Sequence, residues 1–264
     1  MGEYETILLD ATRTGIVVLT LNRPDKRNAF NGHVIEELID ALETIEEQDA
    51  LRLVILRGAG DVFSAGADLK WMTAAQNWTR AENEQDAERL ALMLRKLAAL
   101  PQMTLALVHG AAMGGGAGLV AACDFAVALK GTKFSFSEVR LGLTPATISP
   151  YVIRAIGSRW AKALFVSGEI FDTDLAQRIG LVQYAEDDRN GLAKREEELA
   201  RLAMLAAPGA VRDAKNLVLD LTGVPYSDEL ARETARRIAH RRVSDEGREG
   251  VSAFLEKRKP VWAQ

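Results

Sequence analysis

The stretch AAMGGGAGLVAACD (111–124) decides the reading of this chain: it is small, nearly uncharged and carries four glycines before its first carboxylate, Asp124. Glycine has no Cβ, so the main chain can turn tightly and a ligand can come up to its N–H groups. The stretch therefore reads as backbone presented for binding. It follows the apolar run TLALVHG (104–110) and precedes FAVAL (125–129), which places it between two strands of a buried sheet.

Outward from there, strand and helix alternate. ILLD (7–10) and IVVLTL (16–21) read as a hairpin about Gly15. Val34, Leu38, Leu42 and Ile45 recur at helical spacing over 32–48 behind the cap Asn31. LRLVILRG (51–58) is a buried strand, residues 81–99 form a charged helix ended by Pro101, and KFSF (133–136) is a further short strand. The alternation predicts an α/β layer architecture with a largely parallel sheet. Helices are expected near 149–156, 160–167, 173–179, 191–206, 209–221 and 227–256.

At 264 residues, 48% hydrophobic and 27% charged, the chain can build a large core. A net charge of -4 gives no general attraction to nucleic acid or anionic lipid. The single cysteine, Cys123, rules out an intrachain disulfide and reads as a buried, inert thiol. His33, His109 and His240 are scattered with no zinc spacing, so no metal is expected. Residues 103–123 come nearest to a membrane span, but His109 and the glycines argue for a core segment. The expected compartment is the cytoplasm.

FSAGADLK (63–70) and MGGGAG (113–118) share one logic: each follows a strand, carries glycine and precedes helix-compatible residues. Two such loops can aim N–H groups at one oxygen. Neither fits a dinucleotide fingerprint, and the chain has no GK[ST] of a P-loop.

Together, NRPDKRNAF (22–30), FSAGADLK (63–70), HGAAMGGGAG (109–118), SEVRLGLTP (137–145) and LAQRIGLV (175–182) resemble the successive motifs of the enoyl-CoA hydratase/isomerase (crotonase) family, over roughly residues 5–260. The resemblance implies a crotonase-like spiral of ββα repeats (1–200), a C-terminal helical region (201–264) that forms trimers or hexamers, and acyl-CoA thioester substrates. No separate cofactor is implied, since CoA is part of the substrate. It implies an oxyanion hole at the backbone N–H groups of Ala67 and Gly115. Ala29, Ala65, Ala67, Asp68 and Leu69 match the CoA-binding loops, and Lys26, Arg27 and Lys70 match cations that meet CoA phosphates.

Of the two glutamates of family hydratases, the first position is Gly118 here and the second is Glu138. Glu138 lies among small and apolar residues, where burial is expected to raise its pKa; the bland alternative is a surface ion pair with Arg140. Asp124 reads as structural. TPATISPYVIRAIG (144–157) and SAGADLKWM (64–72) resemble most the methylglutaconyl-CoA or carboxygeranoyl-CoA hydratases of leucine and isoprenoid breakdown. That branch also lacks the first glutamate.

The leading expectation is thus hydration of a branched or carboxylated enoyl-CoA by Glu138, with a bound water or the substrate's own carboxylate taking the missing role. An enoyl-CoA isomerase using Glu138 alone is the alternative, and a non-catalytic acyl-CoA-binding module is the competing class. Trp71, Met72 and Trp78 are expected to pack rather than line the acyl site. Arg140, Arg154 or a neighbouring subunit would meet a distal carboxylate.

Overall fold

The computed structural model describes residues 4–263. β1 (Ile7–Arg13) and β2 (Ile16–Leu21) form the predicted hairpin, and α1 (Gly32–Glu46), capped by Asn31, returns the chain to β3 (Leu53–Gly58). α2 (Leu69–Ala75) and α3 (Arg80–Ala99) follow, then β4 (Met103–Val108), β5 (Ala111–Met113) and α4 (Gly115–Ala122). β6 (Phe125–Leu129) and β7 (Lys133–Ser135) lead through a 3-10 turn, Glu138–Leu141, to α5 (Ser149–Ser167). The chain finishes with β8 (Ile170–Asp172), α6 (Thr173–Ile179), β9 (Tyr184–Glu186) and α7 (Arg189–Leu205), then α8 (Pro208–Leu221), α9 (Asp228–Val243) and α10 (Asp245–Leu255).

Six strands make the main sheet in the order β1-β2-β3-β4-β6-β9, parallel except for the β1/β2 pair; β5, β7 and β8 make a small second sheet. Ser64 extends the small sheet by bridging Ala112. Three main-sheet strands are therefore each followed by a piece of the small sheet and then a helix: β3, Ser64, α2; β4, β5, α4; β6, β7, α5; β9 passes directly to α7. This is the expected strand–strand–helix repeat.

Side-chain alternation sorts the core onto two faces. Val17, Leu19, Val54, Leu56, Ala106 and Val108 face α1, α3, α4 and α5, while Ile16, Val18, Leu53, Ile55, Leu105 and Leu107 face Leu199, Ala200 and Ala203 of α7. The expected 200/201 boundary lies within α7. α8 and α9 bury no residue and turn Val218, Ile238 and Val243 outward. Lys215 of α8 ties this region to the core through Asp124 at 2.8 Å and the Gln102 carbonyl at 2.9 Å. Asp124 also accepts from the Thr104 amide and hydroxyl, which makes it structural as expected.

Two expectations are corrected. The helix predicted over 227–256 is two, divided at Ser244, which ends α9 and caps α10 by accepting from the Gly247 amide. α2 and the three-residue strands β5, β8 and β9 are additional elements. The predicted pair 149–156 and 160–167 is borne out: α5 is two helical segments that meet at Gly157, whose backbone is non-helical (φ 73°).

Candidate active site

The 22–30 loop is the platform. Arg27 and Asn28 hold left-handed backbone (φ 51° and 53°), which turns the Asn28 side chain inward, where it accepts from the Arg23 amide and donates to the Ala59 and Val62 carbonyls at 2.8 and 2.9 Å. The 63–68 loop lies along this platform: the Ala65 amide bonds the Arg27 carbonyl, the Phe30 amide bonds Gly66, and the Asp68 amide bonds the Phe30 carbonyl, the last two at 2.7 Å. In this parallel bridge Phe30 uses the residues on either side of Ala67. The Ala67 N–H is consequently turned away from Phe30.

The glycine run arrives beside it. The Ser64 amide donates to Ala111 and the Met113 amide to Ser64, both at 3.0 Å, so the two loops are stitched backbone to backbone. Gly114 then adopts φ 49°, ψ -118°, a turn that side chains resist, and anchors its amide on the Ser135 carbonyl at 2.9 Å. Gly115 opens α4 and lies flat on the Phe30 ring: an added Cβ would stand 3.0 Å from Phe30 Cε2. Phe30 thus positions both loops. Among the described residues neither the Ala67 nor the Gly115 N–H has an acceptor. Gly115 adds the positive end of the α4 dipole, so the pair suits an oxygen that gains negative charge.

Glu138 stands next to this turn, its Oε1 3.1 Å from where a Gly114 Cβ would be. Its Oε2 is buried and has no hydrogen-bond partner among the described residues. Burial pushes its pKa up, against a smaller opposing pull from its own amide. Arg140 makes no ion pair among the described residues and leans on Gly168 instead, which removes the surface-pair reading of Glu138.

At the first glutamate position the space is taken. A Cβ on Gly118 would come 2.3 Å from Ile148 Cγ2, and Ile148 is 1% exposed. An isoleucine methyl therefore fills the volume that a side chain at 118 would need. The signal in the sequence was a single bulky residue within TPATISP (144–150).

The remaining expected contacts divide. Ala67, Leu69, Lys70, Lys26 and Arg27 are exposed around the loops and Ala65 is half-buried, so a ligand can reach them. Lys26 lies 3.8 Å from Asp25. Asp68 and Ala29 are corrections. The Asp68 carboxylate pairs with Arg23 at 2.9 Å and caps α2 through the Lys70 amide; burial opposes these contacts, yet its pKa is lowered. Ala29 is buried and its carbonyl accepts from Arg23. These two hold the loops rather than offer side chains to a ligand. Trp71 packs against the core and donates its indole N–H to Asp86 at 3.2 Å. Arg23, Phe30, Asp86 and Ile148 are the site-building residues that sequence reasoning missed. No group of metal-ligating side chains occurs among the described residues, and no helix there is long and apolar enough to cross a membrane.

Strand–strand–helix repeats thus carry two converging loops of free backbone donors with one half-buried carboxyl beside them, on a crotonase-like α/β fold. The chain belongs to the enoyl-CoA hydratase/isomerase family, whose model matches residues 11–264. It is 33% identical to a putative enoyl-CoA hydratase of Thermus thermophilus over 93% of this chain and 96% of that one. It is 32% identical to 1,2-epoxyphenylacetyl-CoA isomerase of Escherichia coli, covering 96% and 97%. Among solved structures, a putative enoyl-CoA hydratase/isomerase (crotonase) from Legionella pneumophila superposes with a TM-score of 0.90 at 43% identity, covering 97% and 98%. AtuE of Pseudomonas aeruginosa gives 0.93 at 37% identity, covering 98% and 100%.

Proposed function

We propose that the protein is an enoyl-CoA hydratase for a branched or carboxylated substrate such as 3-methylglutaconyl-CoA, with the thioester oxygen held by the Ala67 and Gly115 N–H groups and Glu138 as acid and base. The observation that carries this is the half-buried Glu138 carboxyl, its buried Oε2 unpartnered among the described residues, beside the turn that presents Gly115.

As water attacks the β-carbon, the Glu138 carboxylate takes its proton. The double-bond electrons move onto the thioester oxygen, where the two N–H groups stabilise the enolate. The Glu138 carboxylic acid then returns the proton to the α-carbon, which leaves the 3-hydroxyacyl-CoA and regenerates the base. A raised pKa suits a group that must both take and give a proton. CoA belongs to the substrate, and no other cofactor takes part. The exposed Lys26, Arg27 and Lys70 are the cations for its phosphates. The outward apolar residues of α8–α10 favour self-association to a trimer or hexamer, and the cytoplasm is the proposed compartment.

A second reading, double-bond isomerisation, is favoured by the Ile148 methyl at Gly118: a single carboxyl moves one proton between two carbons without a second acid. Mass spectrometry of 3-methylglutaconyl-CoA and of a 3-enoyl-CoA in oxygen-labelled water separates the two. Label in the first product supports the hydratase; a migrated double bond in the second without label in either supports the isomerase; no reaction with either, together with thermal stabilisation by acyl-CoA, leaves a non-catalytic acyl-CoA-binding module.

A further inference from the structure

The site described so far accounts for the thioester end of the substrate but not for the far end of the acyl group. α4 gives the direction. Gly118 lies about 4.5 Å along the helix from Gly115, and Ile148 stands against it. Immediately after and before Ile148, the residues Ala146, Thr147, Pro150 and Tyr151 form one wall of a groove of about 440 Å³, whose other wall is Ala91, Leu92 and Arg95 of α3. α3 in turn packs on α4. The groove thus flanks Ile148, the buried residue that stands against Gly118 one helical turn from the proposed carbonyl site.

Its chemistry is apolar along the walls and cationic at one end. Arg95 makes no ion pair among the described residues, nor does Arg154, one turn beyond Tyr151 on α5. Tyr151 is half-buried and also borders the cavity that Arg154 lines. Burial pushes its phenol up while Arg154 and Arg95 pull it down, and the net rise leaves the hydroxyl a neutral donor. The one acid on the groove, Glu88, lies about two helical turns before Arg95, toward the other end.

We propose that this groove takes the far end of the acyl group and that Arg95, with the Tyr151 hydroxyl and Arg154 behind it, binds a terminal carboxylate there. An unpaired guanidinium beside a hydroxyl donor is a carboxylate receptor, and an apolar wall leading to it selects a chain that ends in charge. This assignment rests on the proposed acyl-CoA chemistry and adds the part of the chain that sets substrate choice.

The test compares two 2-enoyl-CoA substrates of equal chain length, 2-octenoyl-CoA and 2-octenedioyl-CoA, which differ only in a terminal methyl or carboxylate. The wild-type protein is expected to favour the diacid at least tenfold in kcat/KM. Arg95→Met should reduce that ratio at least tenfold, chiefly through KM of the diacid, with part of the preference retained in Arg95→Lys. Tyr151→Phe, which removes only the hydroxyl, should reduce it several-fold and serves if Arg95→Met does not fold. A ratio near one in the wild type, or an equal change with both substrates in the variants, overturns the carboxylate site while the proposed function stands. Turnover of neither thioester, or of any other enoyl-CoA, by the wild type would instead remove the reading on which the inference rests.

Discussion

Substitution of Gly118 by Ala probes the packing that sets this site apart. The new Cβ would stand 2.3 Å from Ile148 Cγ2 and 2.9 Å from Ile148 Cβ, against an ordinary carbon–carbon contact of about 3.5–4.0 Å. Both residues are buried, so neither can swing into solvent. Overpacking of this kind costs about 1–3 kcal/mol, and a shortfall above 1 Å puts it near the upper end; the helix propensity gained from Gly to Ala returns about 0.5–1 kcal/mol. The net is about 2 kcal/mol, which at this chain length lowers Tm by roughly 4–8 °C. Ile148→Ala alone opens a cavity and costs about 2–5 kcal/mol. In that background the Cγ2 atom is gone, the cavity lets the remaining Cβ, 2.9 Å away, draw back, and the helix propensity gained offsets what is left, so Gly118→Ala should be close to neutral. Urea denaturation of the wild type, both single variants and the double variant gives the coupling, expected near 2 kcal/mol in favour of the double variant. Additivity within about 0.5 kcal/mol, or a Gly118→Ala protein more stable than the wild type, would refute the reasoning.

Ala67→Pro removes one proposed donor while the flanking bonds through Phe30 remain; kcat should fall about 10²–10³-fold, with smaller change in acyl-CoA binding by calorimetry. Burial makes the Glu138 carboxyl harder to ionise in the folded chain than in the unfolded one, so its destabilising effect is absent below the ordinary carboxylate range and grows as pH rises through the raised value. Thermal melts should therefore show Glu138→Gln gaining stability over the wild type from pH 4.5 to 8, and a gain that shrinks with pH would contradict the burial. Lys215→Met strands the Asp124 carboxylate and frees the Gln102 carbonyl; it should cost about 1.5–3 kcal/mol in denaturant unfolding.

What the sequence disclosed followed the strength of its local signals. β2, β3, β4 and β6 were legible because each is a mostly apolar run covered on both faces over most of its length. β5, β8 and β9 span three residues each, too few for a period to register. α2 buries nothing, so it carries no apolar stripe. Glu138 and the two glycine loops stood out through residue type and motif order. Their supports did not: Phe30 works through a bridge to a loop thirty-seven residues away and a ring under Gly115, and the Gly118–Ile148 contact joins two positions that look unremarkable apart. Asp68 misled for a related reason, since its partner Arg23 lies forty-five residues earlier and no spacing rule connects them.

One half-buried carboxyl, Glu138, is proposed to perform the proton transfers beside two backbone donors. The most direct measurement is the rate at which Glu138→Gln adds labelled water to 3-methylglutaconyl-CoA, or moves the double bond of a 3-enoyl-CoA, at saturating substrate. A fall of about 10²–10⁴-fold with acyl-CoA affinity kept near that of the wild type is the predicted result. Turnover within a few-fold of the wild type would contradict it and place the acid–base group elsewhere in the chain.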